Sequence, residues 1–432
     1  MTPAADSSIL PQNWKKNFLI VWIGQAFSLL GSSLVSFALV WWMTTTTGSA
    51  VILTTAMLVS LLPEVFLSPF AGALVDRLNR KKVMIISDAC IAAATLVMGL
   101  LFWLDAVQIW HVYVLLFIRA LGGTFQWPAM NASISLMVPE KELGRIAGLN
   151  QAIRGVLNIV GPPLGALLLS FLPMFGVLFI DIGTAALAIG ALFFVIIPQP
   201  AQVGLAALIT PRQVLEDVGS GFRYIYHWKG LFVILIGISF INFFLAPTSA
   251  LMPLLVTNHF QGNAWHLGIL DSAFGIGVVV GSLGLTAWGG FKKKIITSLA
   301  GILGVAAGTL IVGLAPAPWF AMAVAGMALI GLTIPFANGP FHALIQSKVA
   351  PEVQGRVFST IASMASVMQI PAMLISGQIA DGIGIHTWYF ISAAGCFAIV
   401  VLMRVMPAVK QIEENHVVQP AVSNLAGNSP TL

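Results

Sequence analysis

The sequence predicts an all-α membrane protein of about twelve transmembrane helices in two pseudo-symmetric six-helix halves. Composition, the spacing of apolar runs and the placement of cations predict it. Across 432 residues, 58% are hydrophobic and only 8% charged, and the mean hydropathy is +0.95. A soluble globule of this length cannot carry that balance. Long apolar runs recur along nearly the whole chain, and one crossing takes roughly 20 residues.

Residues 1–13 are polar, and Trp14-Lys15-Lys16 marks the first interface. The run from Phe18 to Met43 is too long for a signal-peptide core and has no small-residue cleavage site before the next polar turn. Crossings are predicted near 18–43, 50–74, 83–104, 111–137, 147–171, 176–197, 231–255, 266–288, 296–314, 317–346, 357–381 and 386–408. Between Ile197 and Lys229 the composition changes, with Pro198, Pro200 and Pro211. Apolar residues at 214, 215, 218, 222, 225 and 226 then predict an amphipathic helix lying on the membrane. The expected organisation is a first half over 1–197, a linker over 198–229, a second half over 230–410 and a tail over 411–432.

The 20 Lys and Arg residues test this layout. Lys15 and Lys16, the Arg77 to Lys82 group, Lys141 and Arg145, and Arg212, Arg223 and Lys229 fall at the start or in every second connection. So do Lys292 to Lys294, Lys348 with Arg356, and Arg404 with Lys410. The positive-inside rule then places both termini, the linker and the tail in the cytoplasm. Only Arg119 and Arg154 remain inside apolar runs. The sequence pI near 9.3 therefore reflects topology and not a nucleic-acid surface. Cys90 and Cys396 both lie in apolar runs, so no disulfide framework is implied.

The halves repeat. Val138 through Gly144-Arg145 matches Val349 through Gly355-Arg356, each just after the fourth run of its half. The loop Gly72-Ala-Leu-Val-Asp-Arg-Leu-Asn-Arg-Lys-Lys82 recurs in eroded form as Gly284 to Lys294, with Trp288 where the first copy has Asp76. Gly72, Asp76, Arg77, Arg80 and Lys81 in that spacing resemble the loop between helices 2 and 3 of the major facilitator superfamily. Asn79 stands where the family usually has Gly, and a left-handed turn is expected there. The fourth run reads Phe117-Ile-Arg-Ala-Leu-Gly-Gly-Thr-Phe-Gln-Trp-Pro-Ala-Met-Asn131, similar to the Arg-x-x-x-Gly signature of proton-coupled facilitators. The fifth carries Gly161-Pro162-Pro163-Leu164-Gly165, similar to the signature of antiporters associated with export, with Leu157 where a further Gly is usual. Together with Trp22 to Leu29, Phe179 to Thr184 and Gly355 to Ser359, these motifs resemble the macrolide-efflux branch of drug:proton antiporters over about residues 14–410. Arg154 is not expected from that branch.

The resemblance implies the major facilitator fold, a small-molecule substrate, protons as the coupled ion, and a link between Arg119 and proton movement. Physical reasoning adds candidates. Arg119 lies about nine residues below the outer end of its run, where an Arg facing lipid costs at least ~2.5–3.5 kcal/mol, so it points into protein or water. Glu64 sits near the middle of the second run, and Asp181 and Asp271 lie one to two turns below the outer surface. A membrane carboxylate is suited to loading and releasing a proton, so Glu64, Asp181 and Asp271 join Arg119 as proton-coupling candidates, and helix–helix hydrogen bonding is the structural alternative for Glu64. Asp88 is expected to answer the Arg80 to Lys82 cluster. Asp76 is expected to close a cytoplasmic gate by meeting the helix start near Phe358 to Ile361. Gly161, Pro162 and Gly165 predict a bent, closely packed fifth helix.

A cavity wall is sketched from Gln25, Ser32 and Ser36 on the first helix, and Gln126, Trp127 and Asn131 on the fourth. Asn242 and Phe243 on the seventh and Asn338 and His342 on the tenth complete it. Its apolar and aromatic character suits bulky lipophilic or amphipathic molecules better than sugars. His342 has no second ligand at metal spacing. There is no metal-ligand cluster, no nucleophile elbow and no phosphate loop, so neither an enzyme, a cofactor nor ATP-driven transport is predicted. The sequence reads as a bacterial inner-membrane exporter working as a monomer in the lipid bilayer, with no nucleic-acid partner. An exporter of an endogenous amphiphile, such as a siderophore or lysophospholipid, is the alternative. A sensor of the same fold is a third, and the intact Arg119 and Asp76 argue against it.

Overall fold

A computed structural model describes residues 13–75, 77–197, 219, 222–223, 225–226, 228–349 and 351–410. The described residues are helical, joined by short turns. The first six long helices are α1 (Trp14–Thr47), α2 (Ala50–Val75), α3 (Arg80–Trp103), α4 (Ile109–Met137), α5 (Leu143–Phe171) and α6 (Met174–Phe194). After the linker come α7 (Lys229–Leu254), extended by a π turn over Leu255–His259, α8 (Ala264–Trp288), α9 (Lys294–Leu314) and α10 (Phe320–Lys348). The next crossing is broken at Met368 into α11 (Pro351–Val367) and α12 (Gln369–Ile383), and α13 (Ile385–Val405) follows.

Eleven spans among the described residues are long and apolar enough to cross a membrane. The other crossing is α4. Its 29 residues extend about 43 Å at 1.5 Å per residue, and it packs on both α2 and α3. Arg119, Gln126 and its glycines dilute its hydropathy, and those polar side chains build the site described below.

Local chemistry sets the helix ends. α1 stops at Gly48, whose φ of 62° is left-handed and whose N–H donates to Thr44 O at 3.0 Å. Asn79 does not form the left-handed turn expected of it. Its φ is −66°, and its side chain caps α3 by accepting from Lys82 N at 3.0 Å. The basic residues of the same loop cap other helices. Arg80 Nη1 donates to Ala132 O at 2.6 Å, in the last turns of α4. Lys81 Nζ donates to Val195 O at 2.9 Å and Phe193 O at 3.4 Å, at the end of α6. The carbonyls at the end of α6 lie past the last intrahelical donor, Ala132 O also accepts from Ser135 Oγ at 2.8 Å, and a cation at either place meets the negative end of a helix dipole.

The chain divides into two compact units. One holds the described residues of Met1–Thr210 with Ala250–Gly275 and Ser376–Ile385. Within it α1 packs on α5 and α6, and α3 on α4 and α6. The other holds those of Pro211–Ser249, Ile276–Ile375 and His386–Leu432. There α9 lies closest to α10, because Gly301, Gly304 and Gly308 leave no side chain between α9 and the α10 residues Ala337, Thr333 and Ile330. The surface helix expected around Gln213 to Tyr226 lies largely outside the described residues. Of that stretch, Phe222 and Tyr226 set their rings against Phe232 of α7.

Candidate transport site

Four helices of the first unit meet around one ion pair. Arg119 Nη1 of α4 lies 2.6 Å from Asp181 Oδ2 of α6. The same nitrogen donates to Thr95 Oγ1 of α3 at 3.0 Å, and Nη2 donates to Ser32 O of α1 at 3.3 Å. Asp181 also accepts from Ser32 Oγ and Thr95 Oγ1, both at 3.4 Å. Asp181 is 2% exposed, Thr95 0% and Arg119 9%. Such burial is tolerable only because each charge has its opposite and further hydrogen bonds. Gly31 makes the space: a Cβ there would stand 2.8 Å from Asp181 Oδ1 and closer still to Thr184 Oγ1. Gly31→Ala is therefore expected to push α1 off α6 and lower transport severalfold with every charge retained, read as initial efflux rate per folded protein.

A second polar tier lies seven residues along three of these helices. Gln25 precedes Ser32 on α1, Asp88 precedes Thr95 on α3, and Gln126 follows Arg119 on α4. Seven residues are two turns, roughly 10 Å, so the partners of the first tier reappear as partners in the second. Gln25 Nε2 donates to Asp88 Oδ2 at 3.0 Å. Gln126 Nε2 donates to Gln25 Oε1 at 2.7 Å and also to Asp88 Oδ1. Two expectations change here. Asp88 turns into the bundle, 2% exposed, and its carboxylate is held by amides instead of answering the Arg80 to Lys82 cluster, whose Arg80 and Lys81 bond to helix-end carbonyls. Gln25 is 1% exposed, so it belongs to this column and not to a cavity wall.

The other predicted carboxylates stand apart from the column. Glu64 is exposed on α2, and Asp271 is half-buried on α8. Neither is hydrogen-bonded or ion-paired among the described residues. Asp76 lies outside the described residues, so the gate expected of it has no structural description. Gly72 and Arg77 flank it half-buried, and open space surrounds the position of a Cβ on Gly72.

The Gly161 to Gly165 segment packs α5 between α1 and α8. A Cβ on Gly165 would lie 2.8 Å from Phe37 Cδ1, one on Gly161 would meet Ser33, and one on Gly268 of α8 would lie 3.2 Å from Pro163 Cα. Ser272 Oγ of α8 donates to Ile159 O at 2.8 Å, a carbonyl whose usual helical donor four residues on is the nitrogen of Pro163. Sequence reasoning missed a further contact in this unit. Asp381 of α12 caps α2, accepting from Ala50 N at 2.6 Å, Val51 N at 3.1 Å and Ser49 Oγ at 2.8 Å. Gly377 lets the helices close up, since a Cβ there would lie 2.9 Å from Val51 Cα.

The remaining wall residues divide between the units. In the first, Ser36, Trp127 and Asn131 are exposed, and Ser36 Oγ donates to Ser32 O at 2.8 Å. In the second, Asn242 and Asn338 line a cavity of about 320 Å³ with Ser249, Phe341 and Gln369. Phe243 meets Phe244 edge-on at 5.3 Å and Trp388 at 6.1 Å. His342 is exposed and stacks on Phe358 at 5.4 Å.

Residues 21–373 match the Major Facilitator Superfamily. The chain belongs to that superfamily. It is 33% identical over 401 residues to macrolide efflux protein A of Streptococcus pyogenes, covering 93% of this chain and 98% of the relative. It is 25% identical over 364 residues to the multidrug efflux pump Tap of Mycobacterium tuberculosis, covering 82% and 84%. The solved nucleoside transporter NupG shares the fold at a TM-score of 0.66 and 16% identity, covering 90% of this chain and 98% of that one. This major facilitator is thus a multi-pass membrane transporter and not an enzyme.

Proposed function

We propose that the chain is a proton-coupled exporter of bulky lipophilic or amphipathic compounds, macrolide-type drugs among them, in a bacterial inner membrane. The observation that carries the proposal is the Arg119–Asp181 pair, sealed among four helices of a transporter whose relatives are efflux proteins. A guanidinium stays charged, so only the carboxylate of that pair can take a proton. A proton on Asp181 weakens its hold on Arg119 and frees the guanidinium, and loss of the proton restores the pair. Thr95 and Ser32 hold the two side chains in register through the change. The amide-held Asp88 gives the same column a second acid two turns away. Glu64 and Asp271, unpaired, are the alternative carriers.

In this reading two six-helix halves move about a substrate path, and one chain is the working unit. With both termini cytoplasmic, the Asp381 cap of α2 lies on the outer face and latches it. Gly72, Asp76, Arg77, Arg80 and Lys81 form the cytoplasmic counterpart. A topology test is direct: in a Cys90→Ala background, a membrane-impermeant maleimide added outside should label cysteines near Gly262 or Pro316 and not at Lys293. The reverse pattern contradicts the orientation.

The functional test is uptake into everted vesicles energised by respiration, with a macrolide, a siderophore and a lysophospholipid offered side by side. Energised uptake of at least one, lost in Arg119→Ala protein inserted at normal levels, is the expected result. No energised uptake of any of them contradicts the reading.

A further inference from the structure

We infer that Arg154 on α5 is a binding point for the negatively charged headgroup of an anionic amphiphile, a ligand class separate from the macrolide-type drugs named above. The inference rests on the exporter reading above for the passage of the ligand, but not for its binding. Arg154 lies eleven residues into α5, about 16 Å from its start, and so at mid-membrane depth. It is exposed. A guanidinium at that depth is too costly to face lipid, and the faces of α5 agree. Gln151, Arg154 and Asn158 fall on one helical stripe and all three are exposed, whereas the exposed residues on the opposite side include Val156 and Val160. The polar stripe is the water-facing one.

The guanidinium is held in place without being neutralised. Its Cζ sits over the Trp127 ring, 3.4 Å from the centroid. Beside it, Trp22 Nε1 donates to Asn150 Oδ1 at 2.8 Å. Among the described residues no carboxylate comes within ion-pair distance of Arg154. This sets it apart from Arg119, which spends its charge on Asp181. Stacking on one face leaves the in-plane N–H groups free to receive two oxygens side by side, the geometry of a carboxylate or phosphate. The exposed Trp127, Gln151 and Asn158 around it offer an apolar surface and amides to the rest of such a molecule. A substrate carrying a fixed positive charge would be repelled at the same point.

Matched probes test this on the full chain in lipid nanodiscs: dansyl-leucine, its methyl ester, and a dansylated alkyl phosphate, each followed by fluorescence on binding. A charge-assisted bidentate contact is expected to make the acid and phosphate bind about tenfold or more tighter than the ester. Arg154→Gln should remove that preference by weakening the anions and leaving the ester unchanged, and Arg154→Lys should keep part of it. The ranking of carboxylate against phosphate then identifies the headgroup. Equal binding of acid and ester by the unaltered protein, or an anion preference that survives in Arg154→Gln, overturns the inference. The first of these needs no variant to fold. Tight, Arg154-dependent binding of the acid without its energised uptake into everted vesicles would leave the site standing and show that its ligand is not exported, whereas the exporter reading fails only if the macrolide, siderophore and lysophospholipid are also not taken up.

Discussion

Asp181→Asn stops transport and lowers the amount of folded protein, whereas Arg119→Met stops transport at a smaller cost in folding. The difference follows from what each variant leaves behind. Without the carboxylate, Arg119 keeps a charge it cannot shed in a site 9% exposed, and breaking a buried pair from one side costs about 3–5 kcal/mol. Without the guanidinium, Asp181 can neutralise itself by taking a proton and still accept from Thr95 and Ser32. Arg119→Met combined with Asp181→Asn removes both charges and is expected to regain most of the folded yield with no transport. Thermal unfolding of the four purified proteins beside vesicle uptake reads both effects. Additive losses of stability in the double variant would mean that the two side chains do not act as a pair.

Asp381→Ala loosens the contact between α12 and α2. It deletes the acceptor for Ala50 N, Val51 N and Ser49 Oγ, and loss of a helix cap costs about 0.5–2 kcal/mol. At the upper end of that range the open population rises about thirtyfold. Thr54 faces Gly377 across the contact and is 2% exposed. A cysteine there, in the Cys90→Ala background, should react with an impermeant maleimide correspondingly faster when Asp381 is alanine. Asp381→Asn, which keeps one acceptor, should fall between. An unchanged rate in both variants would mean that the cap does not hold this contact closed.

The fold was legible because lipid imposes it: apolar runs of fixed length leave few ways to satisfy the backbone. α4 shows the limit of composition alone, since the residues that dilute its hydropathy are those it turns inward. The pairing of Arg119 with Asp181 was half legible, for both were singled out by depth, though nothing in their separation along the chain joins them. A stronger signal was present in the seven-residue repeat of polar positions on α1, α3 and α4, which shows that three faces meet. Asp88 was misread because the nearest cations in sequence were taken as its partners, and of those Arg80 and Lys81 bond to main-chain carbonyls in and just beyond α4 and α6 instead. The Asp381 cap was illegible, since its two sides lie more than 300 residues apart and a carboxylate near a helix end has many local explanations.

Coupling through the Arg119–Asp181 pair is tested most directly by proton movement on addition of substrate. In everted vesicles made acid inside by respiration and loaded with a quenched pH-sensitive dye, a substrate added outside should exchange for lumenal protons and restore fluorescence. The unaltered protein should give that signal, and nigericin, which collapses the pH gradient, should abolish both the signal and substrate accumulation. Asp181→Asn and Arg119→Met should give neither. Accumulation that continues after nigericin, or proton release that survives in both variants, would contradict the account.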